Sequence, residues 1–157
     1  MKVVAVLDNL RSVYNVGSIF RTANAVGIEK IYLCGTTPTP LDKKGRKRKD
    51  FAKVALGAED TVLWEYADKT STCIEKIRDE QFYIISLEQA ENSTNYNDVD
   101  IHTKDKVAFV IGNEVDGIDA EILKKSDVIA EIPMRGSKES LNVTIAFGVG
   151  VYRILRI

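Results

Sequence analysis

A chain of 157 residues with 45% hydrophobic and 29% charged content has the size and composition of one globular domain, expected to span residues 1–157. No apolar run approaches the roughly twenty residues of a membrane-spanning helix, so no membrane insertion is expected. A net charge of −1, a lone His102 and two cysteines without CxxC spacing argue against a uniformly basic binder, leave zinc sites and histidine triads without their usual parts, and make Cys34 and Cys73 two buried thiols.

Val3–Leu7 reads as a buried strand. It lacks the basic start and small-residue cleavage site of a signal peptide, which points to the cytoplasm. Val16, Ile19, Phe20, Ala23 and Val26 then recur at helical spacing and stop at Gly27, with Arg21 off the apolar stripe. Ile31–Cys34 is a second strand, broken by Gly35–Pro40. Lys43, Lys44, Arg46, Lys47, Arg48 and Lys49 place six of the 22 cationic residues in one short segment, leaving an acidic body. That segment is either a solvated loop or an RNA-binding arm that contacts phosphates. Asp50 is expected to cap a short helix through Ala55 that stops at Gly57, followed by a strand over Thr61–Tyr66. A helix from Thr70 or Ser71 and a strand over Gln81–Leu87 come next; Glu91–Asp100 lacks periodicity and reads as a loop. Lys106–Ile111 and Val128–Ile132 are strands around a helix near Ala120–Lys125, an alternation that gives an α/β sheet. The last stretch, Leu141–Ile157, is apolar on nearly every side, so it needs cover on more than one face, and a second copy of the chain is the favoured cover.

Three stretches carry the chemistry: Asn9–Gly17 running into Arg21 and Gly27, Ile111–Gly117, and Ile132–Met134 followed by Ser140–Asn142. Each lies just past an apolar run, where an open α/β sheet places its ligand-binding loops. Read residue by residue, alternatives stay open. Asn15 can cap a helix through the amides of Gly17 or Ser18, Glu114 can fix its own loop, and Ser140 or Asn142 can cap the final helix. Arg21 carries a guanidinium suited to a phosphate. Gly148-Val149-Gly150 lacks the third glycine and the preceding strand of a dinucleotide motif, and reads as a site of close helix packing.

In order, spacing and identity, these stretches resemble the SpoU/TrmH branch of the SPOUT methyltransferases over nearly the whole chain. The resemblance implies a knotted α/β fold, a mostly parallel sheet flanked by helices with a C-terminal trefoil knot, working as a homodimer. It also implies S-adenosylmethionine as cofactor and methylation of a ribose 2′-hydroxyl in tRNA or rRNA. Carried over residue by residue, it places Asn15, Arg21, Glu114, Ser140 and Asn142 at the catalytic site, with Arg21 meeting the RNA. It places Leu87, Gly112, Ile132, Met134 and Leu141 at the cofactor, with Glu88 beside them. A guanidinium with a pKa above about 12 is a poor proton acceptor, so Arg21 is expected to act by electrostatic positioning. The reading from another class is a non-catalytic RNA-binding or assembly module that retains a cofactor pocket; the intact set of five catalytic-site residues weighs against it.

Overall fold

In the computed structural model, which describes residues 1–157, the chain runs β1 (Lys2–Asp8), α1 (Val13–Ala25), β2 (Lys30–Cys34), α2 (Lys49–Ala55), α3 (Ala58–Thr61), β3 (Leu63–Ala67), α4 (Thr70–Asp79) and β4 (Tyr83–Leu87). It continues through β5 (Thr94–Asn95), a 3-10 turn (Tyr96–Asp98), β6 (Lys106–Ile111), α5 (Ala120–Leu123), β7 (Val128–Glu131) and α6 (Val143–Leu155). The strands form one sheet in the order β3-β2-β1-β6-β4-β7-β5, and every pairing is parallel.

Strands buried on both faces read as continuous apolar runs, and strand geometry sends alternate residues to opposite faces. In β1, Val3, Ala5 and Leu7 join a core of 27 buried residues, while Val4 and Val6 join a second core of 13. The larger core is roofed by α1, α2 and α6 through Phe20, Phe51 and Phe147; the smaller is roofed by α4 and α5 through Ile74 and Ile122. Helices α1 and α2 approach closely because Gly17 has no β-carbon, which would stand 3.0 Å from Val54 Cβ. The Phe20 and Phe51 rings meet edge to face at 5.2 Å. The Cys34 and Cys73 thiols are free and buried in the smaller core; the hydrogen bond that the Cys73 thiol donates to Cys34, together with burial, pushes the Cys73 thiol up. No helix is long and apolar enough to cross a membrane.

The chain builds outward from β1 through β2 to β3, then returns to the other side of the sheet for β4, β6 and β7. Order reverses there, so the carboxyl ends of β1, β6, β4 and β7 open on one rim, the usual place for a ligand in an open α/β sheet.

Several elements differ from the expectation. Asp50 is not the cap of α2: the cap position is Arg48, and Asp50 sits in the first turn, where a carboxylate suits the helix dipole. The strand expected over Thr61–Tyr66 starts at Leu63, because Ala58–Thr61 closes one helical turn after Gly57, whose φ is 89°. The stretch Glu91–Asp100 contains β5 and a 3-10 turn, held by Val99 in the core and by Asn95, whose side chain accepts the Asn97 amide. Helix α6, by contrast, keeps the two-sided apolar character its sequence suggests: Phe147, Gly150, Val151 and Ile154 are buried within the chain, whereas Ile145, Val149 and Tyr152 stay exposed on the opposite side.

Candidate active site

The loop after β1 and the loop after β6 are stitched together by side chains of the second. Asn113 donates through Nδ2 to the Asn9 carbonyl at 2.7 Å, and its Oδ1 accepts the amides of Val115 and Asp116 at 2.8 and 3.0 Å. Glu114 reaches the start of α1, accepting the amides of Arg11 at 3.1 Å and Ser12 at 3.1 Å and the Asn15 Nδ2 at 3.1 Å. These amides lie at the positive end of a helix, where a carboxylate is favoured. Burial pushes the Glu114 carboxyl up, but its own amide, the Asn15 side chain and the Ser12 and Arg11 amides outweigh it and hold the pKa below the ordinary carboxylate value. Asn15 does not cap α1. Ser12 does, accepting the Asn15 amide at 3.2 Å, which frees the Asn15 side chain to face the rim.

Gly112 has no room for a side chain: a β-carbon there would stand 2.3 Å from the Gly117 carbonyl carbon and 2.4 Å from the Ile118 nitrogen. The loop therefore folds back on itself, closed by the Asn113 and Gly117 backbone bonds, with Gly117 at φ 71°. The end of β4 reaches it through Glu88, whose carboxylate accepts the Ile118 amide at 3.0 Å. In the third loop, Asn142 caps α6 by accepting the Thr144 amide at 2.9 Å and donates to Asn15 Oδ1 at 3.5 Å; Ser140 is exposed and caps nothing.

These segments enclose a cleft of about 640 Å³. Nine of the ten residues expected at catalytic or cofactor positions line it: Asn15, Glu114, Ser140, Asn142, Leu87, Gly112, Ile132, Met134 and Leu141. Arg21 does not. It is exposed on α1, without an ion-pair partner; six residues beyond Asn15 it is turned about 600° around the helix, to a different face. Gln89, Leu123, Ala130 and Ala146 also line the cleft and were not anticipated. Ala146, one turn after Asn142, could have been read from helical spacing; Leu123 comes from a helix of four residues and gave no signal.

A volume near 640 Å³ suits a small-molecule cofactor. The donor set suits S-adenosylmethionine: apolar walls at Leu87, Ile132, Met134 and Leu141 for an adenine, and the carboxylates of Glu88, Glu114 and Asp116 to balance a cationic sulfonium and amine.

The basic segment is an ordered hairpin pinned by a Leu41–Lys47 bridge. Asp42 accepts the Lys44 and Arg46 amides and the Arg46 Nε, and these bonds hold its carboxyl below the usual range. Lys47 pairs with Asp60 at 2.6 Å and Arg48 with Asp50 at 2.8 Å. Lys43, Lys44 and Lys49 are exposed with no carboxylate partner.

A model of the SpoU rRNA methylase family matches residues 2–152. The chain is 31% identical over 149 residues to the tRNA (guanosine(18)-2'-O)-methyltransferase of Aquifex aeolicus, covering 95% of this chain and 66% of that protein. It is 28% identical over 144 residues to the 23S rRNA (guanosine-2'-O-)-methyltransferase RlmB of Neisseria meningitidis, covering 92% and 54%. The AdoMet-bound rRNA methyltransferase structure from Sinorhizobium meliloti aligns at a TM-score of 0.89 and 28% identity, over 99% of this chain and 56% of that one. The chain thus spans roughly half to two thirds of the length of these relatives. With its parallel α/β sheet, the motif residues gathered on one rim and a match over residues 2–152, the chain belongs to the SpoU rRNA methylase family.

Proposed function

We propose that this chain is the catalytic domain of an S-adenosylmethionine-dependent RNA ribose 2′-O-methyltransferase that acts on tRNA or rRNA in the cytoplasm. The observation that carries the reading is the convergence of three distant loops and the end of β4 on one cleft at the carboxyl rim of the sheet. The names of the Aquifex and Neisseria relatives, both guanosine 2'-O-methyltransferases, and the AdoMet-bound Sinorhizobium structure support it.

Bound in the cleft, S-adenosylmethionine supplies an activated methyl group for a ribose 2′-oxygen. Leu87, Ile132, Met134 and Leu141 would hold the adenine, and Gly112 lets the loop backbone fold tightly beneath it. Asn15, Ser140 and Asn142 would orient the ribose, with Asn15 fixed by Glu114 on one side and Asn142 on the other. Such orientation is the main catalytic service this site offers. Arg21 and the cations of the 43–49 hairpin would bind RNA phosphates.

Arg21 lies off the cleft, and α6 exposes Ile145, Val149 and Tyr152 at 53, 39 and 43%. Both observations support a homodimer in which α6 meets a second copy and Arg21 serves the partner's cleft. The C-terminal trefoil knot belongs to the same proposal. In its support, the chain leaving β7 meets the β4 end at Glu139 and the first loop at Asn142 before α6 packs back on β4 through Gly150.

The test is methyl transfer from labelled S-adenosylmethionine to tRNA and rRNA, with mapping of 2′-O-methyl positions. A single 2′-deoxy nucleotide at the mapped position should abolish transfer and keep most binding. Transfer that persists refutes the ribose assignment; RNA binding with no transfer to any RNA favours the non-catalytic module.

A further inference from the structure

The residues from Ile132 to Leu141 form a wall of the cleft that almost nothing holds in place. No backbone group in this stretch hydrogen-bonds to backbone elsewhere. Its one tether is Gln89, whose Nε2 donates to the Glu139 carbonyl at 2.8 Å. Gln89 itself is firmly placed. The neighbouring Glu88 carboxylate accepts the Gln89 amide at 2.9 Å and the Ile118 amide at 3.0 Å, and Gly117 leaves it room, since a β-carbon there would lie 2.4 Å from Glu88 Oε2. A fixed base therefore carries a single side-chain bond to a loose wall.

We propose that Gln89 is a positioning residue for the cofactor: its bond to Glu139 latches the 132–141 wall over the cleft, and the cofactor enters and leaves when this bond breaks. The inference rests on reading the cleft as the S-adenosylmethionine site. One exposed hydrogen bond biases such an equilibrium by a factor of about five. That is enough to keep the wall closed most of the time, and little enough to let it open without disturbing the sheet.

The wall contains its own reporters, because Arg135 and Lys138 are exposed tryptic sites within it. In the free protein, Gln89→Ala and Gln89→Met, the second keeping the length but losing the donor, should speed trypsin cleavage after Arg135 and Lys138 about five-fold. Cleavage after Lys43 and Lys44 in the distant hairpin should not change, and neither should the melting temperature, since Gln89 and Glu139 are both exposed. Surface plasmon resonance should show S-adenosylmethionine both entering and leaving the two variants about five-fold faster, because the bond closes the empty cleft as well as the filled one. Unchanged cleavage of the wall, or unchanged cofactor dissociation, overturns the latch. Wild-type protein that binds no S-adenosylmethionine while Gln89→Ala still loosens the wall overturns the cofactor reading and leaves the mechanical latch standing.

Discussion

Gly150 of α6 lies so close to Leu87 at the end of β4 that a β-carbon on it would stand 2.9 Å from Leu87 Cδ2 and 3.1 Å from Cδ1. Leu87 is itself a wall of the cleft. The glycine that looked like half of a weak dinucleotide motif thus sets the width of the site.

Gly150→Ala should therefore act on the cleft more than on the fold. Alanine gains about 1 kcal/mol of helix propensity, while overpacking costs about 1–3 kcal/mol, so the net change in stability is small. Leu87 has to move into the cleft to make room. Titration calorimetry should show S-adenosylmethionine affinity falling about ten-fold, with a thermal melt close to wild type; wild-type affinity in the variant would show that Leu87 moves elsewhere.

Glu114→Gln should weaken the junction of the first two loops by about 1 kcal/mol at neutral pH, since an amide cannot accept the Arg11, Ser12 and Asn15 donors as a carboxylate does. The sign of the pH dependence follows from a native pKa held below the ordinary value of 4.5. The carboxylate's contribution is complete above that ordinary value and is lost as pH falls through the lowered native one. Urea unfolding of both proteins should show a gap at pH 7 that closes towards pH 3; a gap that is constant with pH would mean that the charge is irrelevant.

Arg21→Ala removes an exposed, unpaired side chain and should change stability by less than about 0.5 kcal/mol. Cofactor affinity should stay at the wild-type level while turnover falls at least about a hundred-fold. Mixing Arg21→Ala with Asn142→Ala protein should restore part of the activity if each cleft draws its arginine from the partner. No recovery would place the whole site in one chain, and a monomeric mass by light scattering would remove the dimer.

The six hairpin cations should separate into two groups. Neutralising Lys43, Lys44 and Lys49, which have no carboxylate partner, should flatten the log–log salt dependence of RNA binding by about 0.7–0.9 for each RNA phosphate left without its cation. Neutralising Arg46, Lys47 and Arg48 removes cations already matched by Asp42, Asp60 and Asp50, and should change the slope less. Equal slopes for all variants would return the segment to a solvated hairpin.

The long apolar runs were the legible part of this fold. Lys106–Ile111 is buried on both faces and has the bounds its sequence suggests. Thr94–Asn95 and Ala58–Thr61 were illegible because two or four residues hold no full period of either structure. At the site, position along the chain was easier to read than direction. Asn15 and Arg21 belong to one motif, yet helical rotation sends only Asn15 to the rim. Ser12 and Asn15 are both good capping residues, and only the structure shows the helix starting at Val13, a turn before its apolar stripe. The Gln89 bond leaves no trace in the sequence because its acceptor is a backbone carbonyl fifty residues away, which no side-chain pattern marks.

The pairing of β1 with β6, from Lys2 opposite Lys106 to Leu7 opposite Ile111, has a consequence for the newborn chain. Strand β1 is made first, yet one of its two neighbours is made about a hundred residues later, so a nascent β1-β2-β3 unit carries an open apolar edge while it waits. Pairings so distant along the sequence make folding slow. The loops after β1 and β6 hold each other through Asn113 and Glu114, so the cleft comes into being only when that late strand docks. A ribosome-bound or truncated fragment ending before Lys106 would be aggregation-prone and devoid of a site.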